Sequence, residues 1–217
     1  MKHGKTLLIT RPNYDPTTQY CYYWSENVKT FALEKSFRVL DIEGPKVTKK
    51  IFESYIKKQE PQLLFLNGHG SSEIFAGQDD EPILESSNII VLTKETILYV
   101  RSCNVGSGLG KEIGAIGMTF IGYSKAFGFM RMDKYLRNPT KDPLAKFSLE
   151  PSNLVITTLL KGKTVSEAHE RSKKAMQRNL QYLLSSKATN NERNCASLLW
   201  RNYKYQVMIG NKDAYIE

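Results

Sequence analysis

The sequence contains no apolar run approaching the roughly 18 residues of a membrane-crossing helix, and Met1 to Ile9 holds only a brief apolar stretch before Arg11 and Pro12. Neither a signal peptide nor a membrane span is expected, and a soluble, cytoplasmic protein is. Cysteine is scarce: Cys21, Cys103 and Cys195 are odd in number, widely spaced and without a CxxC pair. That argues against a disulfide framework and against a structural zinc site, and fits free thiols in a reducing compartment. No metal and no cofactor is called for. Histidine is equally sparse, at three residues, and no internal repeat or low-complexity tract is visible.

What the chain does have is 217 residues, 41% of them hydrophobic, enough for one substantial α/β core, so a single domain over 1–217 is expected. The formal charge of +9 would suit an acidic partner. The lysines are scattered, however, and no nucleic-acid motif appears, so nucleic acid is not the expected partner.

Strand and helix signals alternate, which favours a largely parallel sheet covered on both faces. "KTLLIT" (Lys5 to Thr10) reads as a first strand, Gln19 to Glu34 as a helix, and "FRVLDIEG" as a second strand. Pro45 to Lys58 has helical apolar spacing at Val47, Ile51, Tyr55 and Ile56. "PQLLFLNGHGS" (Pro61 to Ser71) is a buried strand closed by glycines, and "EIFAGQDDEPIL" looks like a hairpin. Thr96 to Ser102 is a fourth buried strand with Cys103 at its carboxyl end; a helix from about Gly108 to Ile116 and the strand "MTFIGY" follow. Residues 124–151 read as a surface insertion that could frame a cleft. Gly162 to Leu184 is the strongest amphipathic helix, "SSKATNNERN" a polar loop, and "KYQVMIG" a closing strand.

Two chemistries compete for "VRSCNVGSGLGK" (Val100 to Lys111). A phosphate-binding Walker loop needs glycine and Ser/Thr where this chain has Val105 and Glu112, and the dinucleotide pattern needs glycine where it has Lys111. The phosphate reading fails on spacing. A nucleophile fits better: a cysteine at a strand-to-helix turn sits near unpaired backbone N–H groups, and Ser102, Gly106, Ser107 and Gly108 leave room for a substrate carbonyl. The alternative is an ordinary buried cysteine.

A thiol nucleophile needs a base. His3 is terminal, and His169 in "SEAHERSKK" suits a surface or packing role. His69 in "NGHGS" instead closes a buried strand, and ligand chemistry in open parallel sheets occurs at strand carboxyl ends. If the strands ending at His69 and Cys103 are neighbours, the two side chains share one rim, and the N–H groups of Gly70 and Cys103 can serve an oxyanion. The order of histidine before cysteine argues against a glutamine-amidotransferase arrangement.

On these residues the chain resembles caspase-like (clan CD) cysteine peptidases, nearest to the CHAT and gingipain-like branch. "LLFLNGHGS" resembles the family's His-Gly strand end and "ILYVRSCNVG" its cysteine strand; "LLKGKTVSEAHERSKKAM" is similar to the CHAT helix and "ASLLWRNYKYQVMIGNKDAYI" to the closing segment. The resemblance implies an α/β, caspase-like three-layer sandwich with a mostly parallel central sheet and helices on both faces. It implies a cysteine endopeptidase with Cys103 as nucleophile, His69 as general acid/base and Gly70 as an oxyanion donor. It also implies a substrate pocket shaped by Arg11, Arg101 and the segment at Tyr123. Two arginines would favour cleavage after an acidic residue; alternatively Arg101 bonds Asp15 or the hairpin acids Asp79, Asp80 and Glu81, leaving an apolar pocket. The expected partners are a protein or peptide substrate and a regulatory protein. A non-catalytic caspase-like scaffold or peptide-binding module is the alternative function.

Overall fold

The computed structural model describes residues 5–93 and 95–217; His3 lies outside the described residues. The alternation begins with β1 (Thr6–Arg11), α1 (Pro16–Glu34), β2 (Arg38–Glu43), α2 (Lys49–Gln59) and β3 (Leu63–Asn67). Three short strands come next, β4 (His69–Gly70), β5 (Ile74–Ala76) and β6 (Pro82–Glu85), and then β7 (Ile97–Arg101), α3 (Leu109–Ala115) and β8 (Thr119–Tyr123). The chain closes with α4 (Pro143–Leu159), α5 (Val165–Leu183), α6 (Asn190–Arg193), α7 (Ala196–Tyr205) and β9 (Gln206–Ile209).

The main sheet has the order β2-β1-β3-β7-β8-β9, and β4-β5-β6 form a separate three-stranded sheet. All pairings in the main sheet are parallel except β8 with β9. Every residue of β1, β3, β7 and β8 is buried, which is why these segments read as continuous apolar runs rather than alternating ones. One face, with Leu8, Leu64, Leu98 and Phe120, packs on Phe52 and Ile56 of α2, on Leu109 and Ile113 of α3, and on the small sheet. The other, with Ile9, Phe65, Tyr99 and Ile121, packs on Val28 of α1, Val155 and Ile156 of α4, and Val165 of α5. This is the expected three-layer arrangement with helices on both faces.

The segment 124–142 carries only two short 3-10 turns, at Asp133–Tyr135 and Pro139–Lys141, but the expected insertion ends earlier than 151. Asp142 accepts from the N–H groups of Leu144 (2.9 Å) and Ala145 (3.4 Å) and Pro143 occupies the first turn, a standard helix start. The helix α4, which the residue pattern did not announce, then continues through Pro151, which is buried within it. Likewise the expected polar loop holds α6, started by a capping box between Thr189 and Glu192.

Arg11 requires a correction. It was expected to line a substrate pocket, but its side chain is 1% exposed and enclosed by carboxylates: Asp41 at 2.5 and 2.8 Å, Glu26 at 2.5 Å and Glu43 at 2.6 Å. Its guanidinium also lies over the Tyr22 ring, 4.4 Å from the centroid. A cation so fully paired ties β1 to β2 and α1 and offers no charge to a ligand. Burial alone would push the Asp41 carboxyl up, but hydrogen bonds from Arg11 and Lys29 outweigh it and hold it below the usual carboxylate range. A carboxylate held down in the folded state stabilises above its unfolded pKa and loses that contribution as pH falls through the folded one. Arg11→Met should therefore destabilise the protein in urea at pH 7 by about 1–3 kcal/mol and by clearly less near pH 3. An equal loss at both pH values would contradict the ion-pair account.

Candidate active site

Three adjacent strands of the main sheet, β1, β3 and β7, end on the same rim, the edge at which parallel sheets place ligands. β3 and β7 are parallel neighbours with Asn67 opposite Arg101. His69 and Cys103 therefore lie two residues beyond a matched pair, at the same height.

Arg101 holds this register. Its side chain is 1% exposed, and it donates through Nε to Asn67 Oδ1 (2.8 Å), through one terminal nitrogen to Asn153 Oδ1 (2.8 Å) and through the other to the Cys21 carbonyl (3.1 Å). The guanidinium stacks over Phe65 at 5.0 Å. Asn67 in turn donates to Thr10 O (2.8 Å) and Asn153 to Trp24 O (2.8 Å), so one network links β1, β3, β7, α1 and α4. Arg101 was expected either to face an acidic substrate residue or to bond Asp15 or the hairpin acids. It does neither, because its donors are used on neutral acceptors inside the protein. The hairpin acids are engaged elsewhere: Asp80 accepts from the Tyr14 hydroxyl (2.6 Å), Glu81 from the Lys49 N–H (2.9 Å) and Asp79 from the Gln78 amide (3.4 Å).

Asp15, in the loop that leaves β1, serves the site. One carboxylate oxygen caps α1 by accepting from the N–H groups of Thr17 (2.6 Å) and Thr18 (2.8 Å). The other lies 2.5 Å from His69 Nε2. Burial would raise the Asp15 pKa, but the His69 and Thr18 hydrogen bonds outweigh it and lower it, so the group is an anchored carboxylate. A carboxylate on one ring nitrogen fixes the imidazole's tautomer and orientation. His69 Nδ1 has no hydrogen-bond partner among the described residues, and Tyr14 packs edge-on against the ring at 6.0 Å. The sequence signal for Asp15 was its place before Pro16 in "YDPTT", a cap signature that says nothing of its second oxygen.

Cys103 begins a sharp turn. Asn104 adopts a left-handed conformation (φ 60°), which asparagine tolerates better than most residues, and the chain then enters a 3-10 turn at Val105–Ser107. Cys103 is half-buried, whereas Cys21 and Cys195 are fully buried. Its thiol donates to the Phe127 carbonyl at 3.6 Å, and burial pushes its pKa up, so the resting group is a neutral thiol. No hydrogen bond joins Cys103 to His69 among the described residues. Gly70 lies against the cysteine turn: a Cβ there would sit 2.4 Å from Ser102 Oγ and 2.8 Å from Val105 Cγ2. Only glycine fits between the two strand ends, and the buried Ser102 hydroxyl beside it has no hydrogen-bond partner.

Tyr123 also departs from expectation. It is 1% exposed, and its hydroxyl accepts from Gln206 (3.2 Å); it is a core residue under Phe127, ring to ring at 4.7 Å. His169, expected to pack, is half-buried with Nε2 3.3 Å from the Gln206 carbonyl. Among the described residues, no group of three or more His, Cys, Asp or Glu side chains is gathered for a metal, and no helix is long and apolar enough to cross a membrane.

No protein-family model matches the sequence, and comparison with curated protein sequences finds no match. Solved structures do match. The Arg-specific cysteine proteinase gingipain R (RgpB) superposes with a TM-score of 0.61 at 12% identity over 99% of this chain. A complex of the pro- and mature domains of RgpB from Porphyromonas gingivalis gives 0.62 at 11% identity over 99%. The fold is caspase-like, shared with gingipain. In each case the chain spans 48% of the neighbour, about half its length, and at such identity the likeness is one of fold. Within this fold the ends of β3 and β7 are paired in register. Because Arg101 holds them together, Arg101→Met should leave two buried side-chain acceptors, Asn67 and Asn153, without their donor at about 1–3 kcal/mol each, a loss of about 2 kcal/mol or more in urea denaturation. A loss below about 1 kcal/mol would mean that the network is incidental.

Proposed function

We propose that the protein is a cysteine endopeptidase of the CHAT and gingipain-like branch, in which Cys103 is the nucleophile and His69 the general acid/base. The observation that carries this reading is the juxtaposition at one rim of a half-buried thiol and an imidazole oriented by a part-buried carboxylate, each two residues beyond the ends of adjacent parallel strands in matched register. The fold shared with cysteine proteinases supports it.

In this mechanism substrate binding draws the thiol off Phe127 O and brings it to His69 Nδ1, which takes the proton. The thiolate attacks the scissile carbonyl carbon, and the N–H groups of Gly70 and Cys103 receive the oxyanion. Collapse of the tetrahedral intermediate breaks the C–N bond, with the imidazolium giving its proton to the leaving amine. Water, deprotonated by His69, then attacks the thioester to release the acid and restore the thiol. Asp15 is a positioning residue that keeps Nε2 protonated throughout. A neutral resting thiol held away from its base is what a peptidase regulated by another protein would show. In the gingipain complex a pro-domain accompanies the mature domain, and a regulatory protein partner is part of this reading here. Cleavage after an acidic residue needs a cation other than Arg11 or Arg101, since both are fully engaged.

A non-catalytic peptide-binding module is the second reading. It is favoured by the Cys103–Phe127 contact and by the lack of a Cys103–His69 hydrogen bond among the described residues. Labelling by peptidyl acyloxymethyl ketones separates the two. The wild type should be labelled at Cys103, Cys103→Ala not at all, and His69→Ala about 100-fold or more slowly; Asp15→Asn, which retains a capping oxygen, should slow by about tenfold or more. Equal labelling rates for wild type and His69→Ala would remove the imidazole from the mechanism.

A further inference from the structure

The helices α5 and α7 pack side by side at the end of the chain. Lys173, in the first half of α5, lies over the Tyr203 ring near the end of α7 (4.7 Å), and Arg193, just before α7, reaches the Ser185 carbonyl just after α5 (3.5 Å). The two helices therefore run antiparallel. Met176, Leu180, Leu183 and Leu199 join Leu144 of α4 in the core beneath them. The outer surface between them is left as a groove of about 420 Å³, lined by Leu180, Leu184, Ala196, Trp200 and Tyr203 among others. Leu184 is 76% exposed and Trp200 53%. Large apolar side chains gathered in one concave patch mark an interaction site, unlike the scattered exposure found on any surface. Trp200 stacks on Tyr203 at 5.5 Å, so one wall of the groove is already formed.

The charge around the groove is of one sign. Residues 171–206 contain eight lysines and arginines and one acid, Glu192, and so carry most of the chain's net charge of +9. Glu192 is committed to the Thr189 cap and to the Tyr182 hydroxyl. Among the described residues the one ion pair in this stretch joins Lys174 to Glu170 (3.5 Å). Lys173 and Lys204 stand at the Tyr203 end of the groove, and Lys187 and Arg193 at the Leu184 end; none of the four makes an ion pair among the described residues. Cations without counter-charges at both ends of an apolar groove are complementary to an apolar segment flanked by acids.

We propose that this groove docks an acidic amphipathic helix of a partner protein, with two of its large apolar side chains, one turn apart, entering beside Trp200 and Leu184. Both walls are helices whose backbone groups are bonded internally, so no strand edge is offered and recognition falls to side chains. From Gln177 to Leu184 the α5 wall runs for two turns, about 10 Å, which suits anchors at i and i+3 or i+4. A second copy of this chain would bring its own positive charge to a positive surface. Nucleic acid would meet the cations but leave the apolar walls uncovered, and a flat lipid surface would reach the rims of the groove and not its floor. The inference is independent of the peptidase reading.

The test is a selection, with the full chain as bait, from a displayed library of short helix-constrained peptides of random sequence. Enriched peptides should carry two large apolar residues three or four positions apart, with Asp or Glu on both sides. A synthesised winner should shift the Trp200 emission to the blue, a change absent in Trp200→Phe because Trp24 is already buried. Its affinity should fall about tenfold or more in Trp200→Ala and in Leu184→Asn, and in the double variant Lys173→Glu/Arg193→Glu, and should weaken as salt is raised. Both apolar side chains are largely exposed, so unchanged thermal unfolding should accompany the loss, and Cys103→Ala should bind as the wild type does. Selection that enriches no acidic amphipathic peptides, or winners that bind folded Trp200→Ala and Leu184→Asn as tightly as wild type, would overturn the assignment. So would labelled oligonucleotides or phosphatidylserine vesicles whose binding depends on Trp200 and is not displaced by any selected peptide.

Discussion

A buried guanidinium without a carboxylate partner holds the centre of this protein. Removing a cation from water is costly unless its donors are met, and Arg101 meets them with Asn67, Asn153 and the Cys21 carbonyl. The consequence is geometric. Asn67 and Arg101 are matched in the β3–β7 register, so bonding them to one another fixes the level at which both strands leave the sheet. Two residues later the strands lead to His69 and Cys103, and neither can slip without breaking a buried hydrogen bond.

The surrounding parts are supports for that rim. Arg11 and its three carboxylates clamp the edge of β1 that leads to Asp15. Asp15 divides its two oxygens between the first turn of α1 and His69, so the helix that covers the sheet also orients the imidazole. Asn202 fastens the loop at Gly128, and the same loop offers the Phe127 carbonyl to the thiol. His69 is thereby held by Asp15, and the Cys103 thiol by the Phe127 carbonyl.

Much of this was legible in the residues alone. The apolar runs of β1, β3, β7 and β8 declared a parallel sheet because buried strands leave no room for alternation, and "NGHGS" and "RSCNVG" marked strand ends because glycines and small residues cluster where backbones must approach closely. Gly70 bears that out, since a Cβ there would meet Ser102 and Val105. What could not be read was the choice of partner for each charge. An arginine at the end of a strand looks the same in sequence whether it faces carboxylates across a sheet edge or amides in a core; Arg11 and Arg101 take these two fates in turn. Tyr123 misled for a similar reason, because a strand-end tyrosine can face either the rim or the layer beneath it. The helix α4 escaped notice because Pro151 and the turn residues before Asp142 outweighed its weak apolar pattern.

The central claim is that the two strand ends form one hydrolytic centre. Mass-spectrometric profiling of a diverse peptide library with the wild type and with Cys103→Ala tests it most directly. The account predicts new amino termini with the wild type, or with the wild type once a cell extract supplies its partner, and none with the variant under the same conditions. Cleavage that persists in a folded Cys103→Ala protein, or a wild type that stays inert with extract present, would contradict it.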